Sequence, residues 1–279
     1  GYAGLTIAAA NLIKAQGNEY QQKKYAEPMM AGRFFGTMCL TEPHSGSSLG
    51  DLRTRAEPQD DGSYRLFGNK IFISAGDHEL SDNIIHMVLA RLPDAPAGVK
   101  GISLFIVPKI LVNEDGSLGE RNDVALAGLI HKMGYRGTTS TMLNFGEKDG
   151  AVGYLVGEPN NGLAAMFHMM NEARIGVGLG AVMLGYTGYL HALDYARERN
   201  QGRPVGEKDP DTPQVPLIRH ADIRRMLLTQ KAIAEGGRAM LYYAARLADH
   251  MVEGHTAGDE KKADAYDDRL GFLTPILKG

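Results

Sequence analysis

The stretch LTEPHSGSSLGDLRTRAEP, residues 40–58, concentrates groups that could bind a polar ligand. It follows a short apolar run and carries five hydroxyl side chains, two prolines and two glycines. One interpretation is a capped turn, in which Pro43 restricts the backbone, Gly46 relaxes it, and the hydroxyls of Ser47 and Ser48 bond to backbone groups. The other interpretation is a loop that holds a ligand. These residues alone favour neither.

Other short motifs with known chemistry are incomplete. The glycines of GVGLGAVMLG, residues 176–185, lack the third glycine of a dinucleotide fingerprint because Met183 occupies its position, and no predicted strand precedes them. Glycines on a helix face that permit close packing are the favoured interpretation. The segment HELSDNIIH, residues 78–86, has Asp82 where a zinc helix needs its second histidine. A zinc site is therefore not favoured. The sequence also has no serine-hydrolase elbow and no P-loop, so it gives no sign of serine-hydrolase chemistry or of nucleotide binding by a P-loop.

Two helical segments leave alternatives open. The basic run IRRMLLTQK, residues 223–231, alternates charged and apolar residues at helical spacing, which favours a solvated helix face over a subunit or anionic-cofactor contact. The methionines Met166, Met169 and Met170 are typical of core packing. Because methionine is adaptable, they could also line an acyl-chain pocket.

Bulk composition is that of an ordinary globular protein. The chain has 279 residues, 43% of them hydrophobic, a net charge of -3 and a mean hydropathy of -0.23. The small net charge argues against a nucleic-acid partner, and no apolar run is long enough to span a bilayer. Cys39 is the single cysteine, so an intrachain disulfide is impossible. This fits a reducing compartment, and we expect a cytoplasmic location.

The first region predicts two helices over residues 2–30. Gly17 can end the first, and Asn18 can cap the second, which Pro28 ends or kinks. From residue 36 to residue 155 the pattern changes to short β-rich runs separated by turn residues, which predicts an antiparallel barrel or sandwich. Within it, Gly68-Asn69 predicts a tight hairpin turn.

The helical period returns from Asn160. Asn160 or Asn161 can cap a long helix that ends near Arg199, a proline-rich loop follows, and two further helices begin near Leu217 and Asp259. The second of the three is expected to run to about Met251. The predicted domains are residues 1–35, 36–157 and 158–279.

Three segments together resemble the acyl-CoA dehydrogenase family. They are the 40–58 loop, KIFISAGDHELSDNIIHMVLARLPDAPAGVKGISLFIVPK at 70–109, and GYLVGEPNNGLAAMFHMMNEARIGVGLG at 153–180. The resemblance covers essentially the whole chain and is nearest the subgroup that includes 3-methylmercaptopropionyl-CoA dehydrogenase. It implies an α+β fold: a helical segment, an antiparallel β-barrel-like middle domain, and a truncated C-terminal helical bundle. It also implies a flavoprotein oxidoreductase of fatty acid metabolism, with FAD between the β-domain and the bundle.

The same resemblance implies the site residues. Carried over by position, the FAD contacts would come from Leu40, Thr41, Gly46, Ser47, Phe72, Ser74 and Arg199. The acyl-CoA thioester would be bound by Ser47, Asn171 and Arg174. In the family reaction a glutamate removes the α proton, and N5 of the flavin accepts the β hydride.

The catalytic base is the weakest part of the resemblance. Glu172 is a candidate, but the family position corresponds to Ala173, and one residue on a helix is a rotation of about 100°. We therefore expect the base beyond Gly279, and we expect the chain to be an inactive fragment that lacks most of the N-terminal helical domain and the end of the bundle.

The implied partners are an acyl-CoA substrate, an electron-transfer flavoprotein as acceptor, and further copies of the chain in a dimer or tetramer. Three alternatives stay open: an acyl-CoA oxidase, a non-catalytic relative that binds flavin and nucleic acid, and a structural module without a cofactor.

Overall fold

The computed structural model describes residues 2–278, with the side chains of His168, Asn171 and Glu172 excepted. The sequence-based roles of the Asn171 and Glu172 side chains therefore lie outside the described residues. The chain forms two compact units that divide between residues 173 and 174, and each is described by itself. No helix in the described part of the chain is both long enough and apolar enough to cross a membrane.

The first unit begins with the two predicted helical segments. Helix α1 covers Tyr2–Gln16; the second segment consists of α2 (Glu19–Gln21), a π-helical turn (Gln22–Ala26) and α3 (Glu27–Met30). Asn18 caps the second segment as predicted, because its side chain accepts from the Gln21 amide in a capping box. Pro28 does not end the segment at once, since α3 continues directly from the π-helical turn through Pro28 to Met30.

Ten strands follow. Their bounds are β1 (Phe34–Cys39), β2 (Arg55–Pro58), β3 (Tyr64–Ser74), β4 (Asn83–Arg91), β5 (Ile102–Pro108), β6 (Ile110–Val112), β7 (Leu118–Arg121), β8 (Val124–Leu129), β9 (Ser140–Phe145) and β10 (Ala151–Val156). Strands β6 and β7 pair with each other, and the other eight form one sheet in the order β1-β4-β5-β10-β3-β9-β8, with β2 beside both β3 and β4.

The sheet is barrel-like because β2 bridges two of its interior strands, β3 and β4. Strands β4, β5, β10, β3 and β2 form a ring, which is completed by the single pair Arg55↔Arg91. The pairing is mainly antiparallel, as predicted, but β1 pairs with β4 in parallel. One cluster of buried apolar residues lies within the sheet and includes Val88, Phe105 and Phe145. A second cluster forms where the N-terminal helices pack on the sheet, and it includes Leu12 of α1.

The predicted Gly68-Asn69 hairpin is wrong, because β3 runs through it as one strand of eleven residues. Gly68 serves close packing instead: a Cβ there would lie 2.9 Å from the Cα of Thr54. It is also the position at which β3 changes partners, from β2 and β10 to β9. The turn-forming dipeptide thus marks a strand junction rather than a reversal of the chain.

The long helix α4 (Gly162–Glu198) runs from the first unit into the second. In the second unit a short 3-10 turn (Leu217–Arg219) precedes α5 (Ala221–Ala257), and α6 covers Glu260–Lys278. The second predicted helix therefore begins four residues later than expected and ends six residues later, at the left-handed C-cap Gly258. The core of the second unit is a cluster of buried residues on α5 and α6: Leu241, Ala244, Leu247, Leu270 and Leu277.

Candidate functional site

The loop that follows β1 is held by β3. The β1–β4 register ends at the pair Cys39↔Val88. Beyond it, the carbonyl of Leu40 accepts a hydrogen bond from Nζ of Lys70 at 3.0 Å, and the carbonyl of Thr41 accepts one from the backbone N–H of Ile71 at 2.9 Å. The predicted residues Leu40 and Thr41 therefore lie directly against the part of β3 that carries the predicted residues Phe72 and Ser74.

A buried ion pair lies under this contact. The ammonium of Lys70 is 2.9 Å from Oε1 of Glu42, and the two side chains are 0% and 3% exposed. The same carboxylate accepts hydrogen bonds from the backbone N–H groups of Arg53 and Thr54, at 2.8 and 3.0 Å, and from the Thr54 hydroxyl at 2.5 Å. The charge-assisted bonds compensate for the loss of water around both groups.

The electrostatics agree with an ionised pair. Burial alone would raise the pKa of Glu42, but the ammonium of Lys70 and the hydrogen bonds from Thr54 and Arg53 outweigh it, so the pKa lies below its ordinary value. Burial lowers the pKa of Lys70, and the Glu42 carboxylate opposes that shift. The carboxylate is thus engaged on both oxygens and is poorly suited to accept a substrate proton.

The tip of the loop is shaped by Ser45. The backbone groups of Glu42 and Ser45 bond to each other in both directions, at 2.8 and 3.1 Å, and the Ser45 hydroxyl donates to the carbonyl of Ser48 at 2.6 Å. The capped-turn interpretation predicted that the hydroxyls of Ser47 and Ser48 bond to the backbone. That prediction is wrong, because the hydroxyl that does so is that of Ser45. Gly46, Ser47 and Ser48 are all exposed, and within the described residues neither their N–H groups nor the Ser47 hydroxyl has a hydrogen-bond partner.

Strand β3 changes its course at Phe72. Its pairing with β9 shifts between Lys70 and Ile73, and Phe72 takes a left-handed backbone conformation with φ of 58°. Ala75 does the same with φ of 56°. Such a bulge re-aims a side chain, and the Phe72 ring is 60% exposed as a result. A strained backbone that presents an aromatic ring is typical of a ligand site.

Two further predicted residues, Arg174 and Arg199, belong to the second unit. Arg174 lies on α4 and is partly buried. Arg199 directly follows α4, and its carbonyl accepts a hydrogen bond from the Leu217 N–H at 2.9 Å, which closes the base of the 200–216 loop. Their contacts with a cofactor or substrate stay predictions.

Sequence reasoning missed Lys70 and Thr54. A signal for Lys70 was available, because it lies four residues after the buried Leu66 and therefore on the same face of β3. A lysine in phase with core residues needs a buried acidic partner. No comparable signal indicates Thr54, which acts through its backbone and hydroxyl.

An open depression lies elsewhere on the first unit. It has a volume of about 650 Å³ and contains none of the predicted residues. Its lining mixes both signs of charge and includes Arg65, Asp77, Arg121 and Asp123. The carboxylate of Asp123 accepts the backbone N–H groups of Glu147, Lys148 and Gly150, so it has a structural role there.

Comparison with known proteins supports the resemblance seen in the sequence. Residues 37–147 match the family described as acyl-CoA dehydrogenase, middle domain. The chain is 45% identical over 275 residues to a 3-methylmercaptopropionyl-CoA dehydrogenase of Ruegeria pomeroyi, with 99% of this chain and 45% of the relative covered. It is 44% identical over 284 residues to a broad-specificity linear acyl-CoA dehydrogenase of Mycobacterium tuberculosis, with 100% of this chain and 46% of that protein covered. It thus spans slightly under half the length of these relatives.

Solved structures share the fold. The Caenorhabditis elegans protein ACDH-11, in complex with C11-CoA, superposes with a TM-score of 0.75 at 23% identity, over 99% of this chain and 44% of that one. Butyryl-CoA dehydrogenase from Megasphaera elsdenii gives a TM-score of 0.67 at 26% identity, over 98% of this chain and 65% of that one. An acyl-CoA dehydrogenase from Bacillus anthracis, complexed with FAD, gives 0.73 at 23% identity, over 95% and 41%. With its α+β architecture and its matching middle domain, the chain belongs to the acyl-CoA dehydrogenase family.

Proposed function

We propose that this chain is the FAD-binding core of an acyl-CoA dehydrogenase, which removes the α proton and the β hydride of an acyl-CoA thioester. The observation that carries the proposal is the contact between the 40–42 segment and residues 70–71 of β3. The loop that carries the exposed residues 46–48 and the part of β3 that carries the exposed Phe72 are far apart in sequence and are thereby held side by side. Bound FAD would supply the hydride acceptor.

The residues present fit the cofactor. Three consecutive exposed residues, Gly46 to Ser48, have N–H groups without a protein acceptor among the described residues, and the Ser47 hydroxyl joins them. Such a cluster of donors favours the oxygens of a diphosphate or of a thioester ligand. The exposed, strained Phe72 would pack on the flavin ring, and the Ser74 hydroxyl would donate to it. Leu40 and Thr41 would bind the pyrimidine edge.

The proton acceptor is not assigned within this chain. Glu42 is engaged in the buried pair with Lys70, and the side chain of Glu172 lies outside the described residues. Because the chain spans only 45% of its dehydrogenase relative, we expect the base on a part of the family fold that lies outside residues 1–279. Arg174 and Asn171 would bind the CoA moiety, and Arg199 would contact the FAD of a neighbouring subunit.

A cofactor and substrate test decides the proposal. The intact protein should purify with FAD and should oxidise acyl-CoA thioesters with a dye acceptor or with an electron-transfer flavoprotein. A panel with 3-methylmercaptopropionyl-CoA and butyryl-CoA would give the chain preference. Peroxide formation under air would instead indicate an oxidase. An intact protein that neither retains nor rebinds FAD would refute the proposal.

The oligomer is part of the same proposal. If Arg199 serves the cofactor of a neighbouring subunit, the working protein is at least a dimer. Light scattering of the intact protein measures its mass, and a monomer that binds FAD normally would refute the cross-subunit role of Arg199.

A further inference from the structure

The Lys70–Glu42 pair joins three segments of the first unit. The ammonium binds the Leu40 carbonyl at 3.0 Å as well as the carboxylate at 2.9 Å. The carboxylate in turn holds the backbone at Arg53 and Thr54. The ends of the 40–54 loop are therefore tied to each other and to β3 through one buried pair of charges.

The position of the pair is more informative than its contribution to stability. A buried ion pair adds little net stability over an apolar pair of similar volume, because both ions lose their water. In this pair, however, the Lys70 ammonium also donates a hydrogen bond to the Leu40 carbonyl, and the neighbouring Ile71 N–H donates one to the Thr41 carbonyl. Phe72 follows directly. The pair thus sets the distance between the two stretches that would enclose the flavin.

We propose that Lys70 and Glu42 are positioning residues, which hold residues 40–42 against residues 70–74 so that FAD meets a pre-formed surface. The inference rests on the proposed function of this site. Neither side chain needs to touch the cofactor. Removing the ammonium leaves the Leu40 carbonyl without its side-chain donor, whatever residue replaces Glu42.

Three variants of the intact protein separate positioning from stability. They are Lys70→Met, Glu42→Gln and the double variant. Each single change removes one member of the buried pair and should lower Tm clearly, whereas the double change removes both charges and should recover most of that Tm. If the pair positions the loop, FAD affinity does not recover with Tm, since the donor to Leu40 is still absent. We expect a Kd for FAD at least ten-fold weaker in Lys70→Met and in the double variant, with an altered flavin absorption spectrum.

Gln21→Ala is the matched control. Gln21 is a buried polar residue whose side chain donates to the carbonyl of Leu155 at 2.7 Å. Leu155 is remote from the loop that begins after Cys39. Three strand pairings, Cys39↔Val88, Val88↔Phe105 and Phe105↔Leu155, separate the two residues, which is about 14 Å along the sheet. This variant should lose Tm and keep the FAD Kd. A double variant whose Kd returns to within two-fold of the unaltered protein would overturn the inference.

Amide hydrogen exchange makes the test independent of the cofactor. In FAD-free protein, Lys70→Met should speed exchange of the hydrogen-bonded amides of Glu42, Ser45 and Ile71 at least ten-fold relative to Gln21→Ala. Unchanged exchange there would refute the positioning role. If the unaltered protein bound no FAD yet exchange rose as expected, the proposed function would fail while the pair's control of the loop would stand.

Discussion

Acid stability of this protein should depend on one buried histidine. His86 lies in β4 with no exposed surface, and its Nδ1 is 2.8 Å from the hydroxyl of Thr37. Its Nε2 has no hydrogen-bond partner among the described residues, and the ring of Phe145 lies edge-on at 5.9 Å. Burial lowers the pKa of His86 to about 3; of the nearby charges, Asp77 opposes the shift and Lys109 adds to it. The imidazole is therefore neutral in the folded protein.

The pH dependence follows from this shift. In the unfolded chain His86 takes up a proton below about pH 6.5, but in the folded protein it does so only near pH 3. Between these values the unfolded state binds more protons, so stability falls as the pH falls. At pH 5.0 the pH lies about 1.5 units below the pKa of His86 in the unfolded chain. At about 1.4 kcal/mol per unit, protonation then stabilises the unfolded state by about 2 kcal/mol. The full loss, near pH 3, approaches about 5 kcal/mol.

The assay is urea unfolding at pH 7.5 and pH 5.0. The unaltered protein should lose about 2 kcal/mol more than the His86→Asn variant between the two values, because asparagine keeps a polar atom near Thr37 but does not titrate. Every other titrating group is common to both proteins and cancels. A difference between the two proteins below about 0.5 kcal/mol would refute the reasoning, as would an NMR titration in which His86 protonates above pH 5 in the folded state.

Two further predictions concern backbone geometry. Phe72→Gly should raise stability by up to about 1 kcal/mol, because glycine adopts the left-handed conformation freely. It should also weaken FAD binding, and a Tm scan with a flavin titration measures both; loss of stability with unchanged FAD affinity would contradict the assignment. Gly162→Ala should cost at least about 1–3 kcal/mol, since the new Cβ would lie 2.3 Å from the carbonyl carbon of Ser103. Gly176→Ala, on the same helix with open space around it, should cost nothing; equal urea midpoints for the two would refute the packing argument.

The elements that repeat a local period were predictable from the sequence. Helix α4 begins and ends within two residues of its predicted bounds, and Asn18 caps the second helical segment as expected. Helix patterns and caps depend on residues within a few positions of each other, so local sequence contains the information.

The contacts that shape the site are long-range, and most of them were not predictable. Gly68 and Asn69 have the local form of a turn, yet Thr54, far away in sequence, decides how Gly68 packs. Lys70 and Glu42 are 28 positions apart. The position of Lys70 on the buried face of β3 indicates that it needs an acidic partner, but only the packing of β3 against the loop identifies that partner as Glu42.

The two interpretations of the 40–58 loop, a capped turn and a binding site, apply to different residues of the same segment. The inward-facing residues have structural roles: Glu42 and Thr54 bind each other, and the carbonyl of Thr54 accepts the Arg91 N–H beside the pair that completes the barrel. Because those contacts satisfy the loop internally, Gly46 and Ser47 need no structural bonds and stay exposed. The loop can therefore present unsatisfied donors on a rigid base, which is the arrangement that binding an anionic cofactor without reorganisation requires.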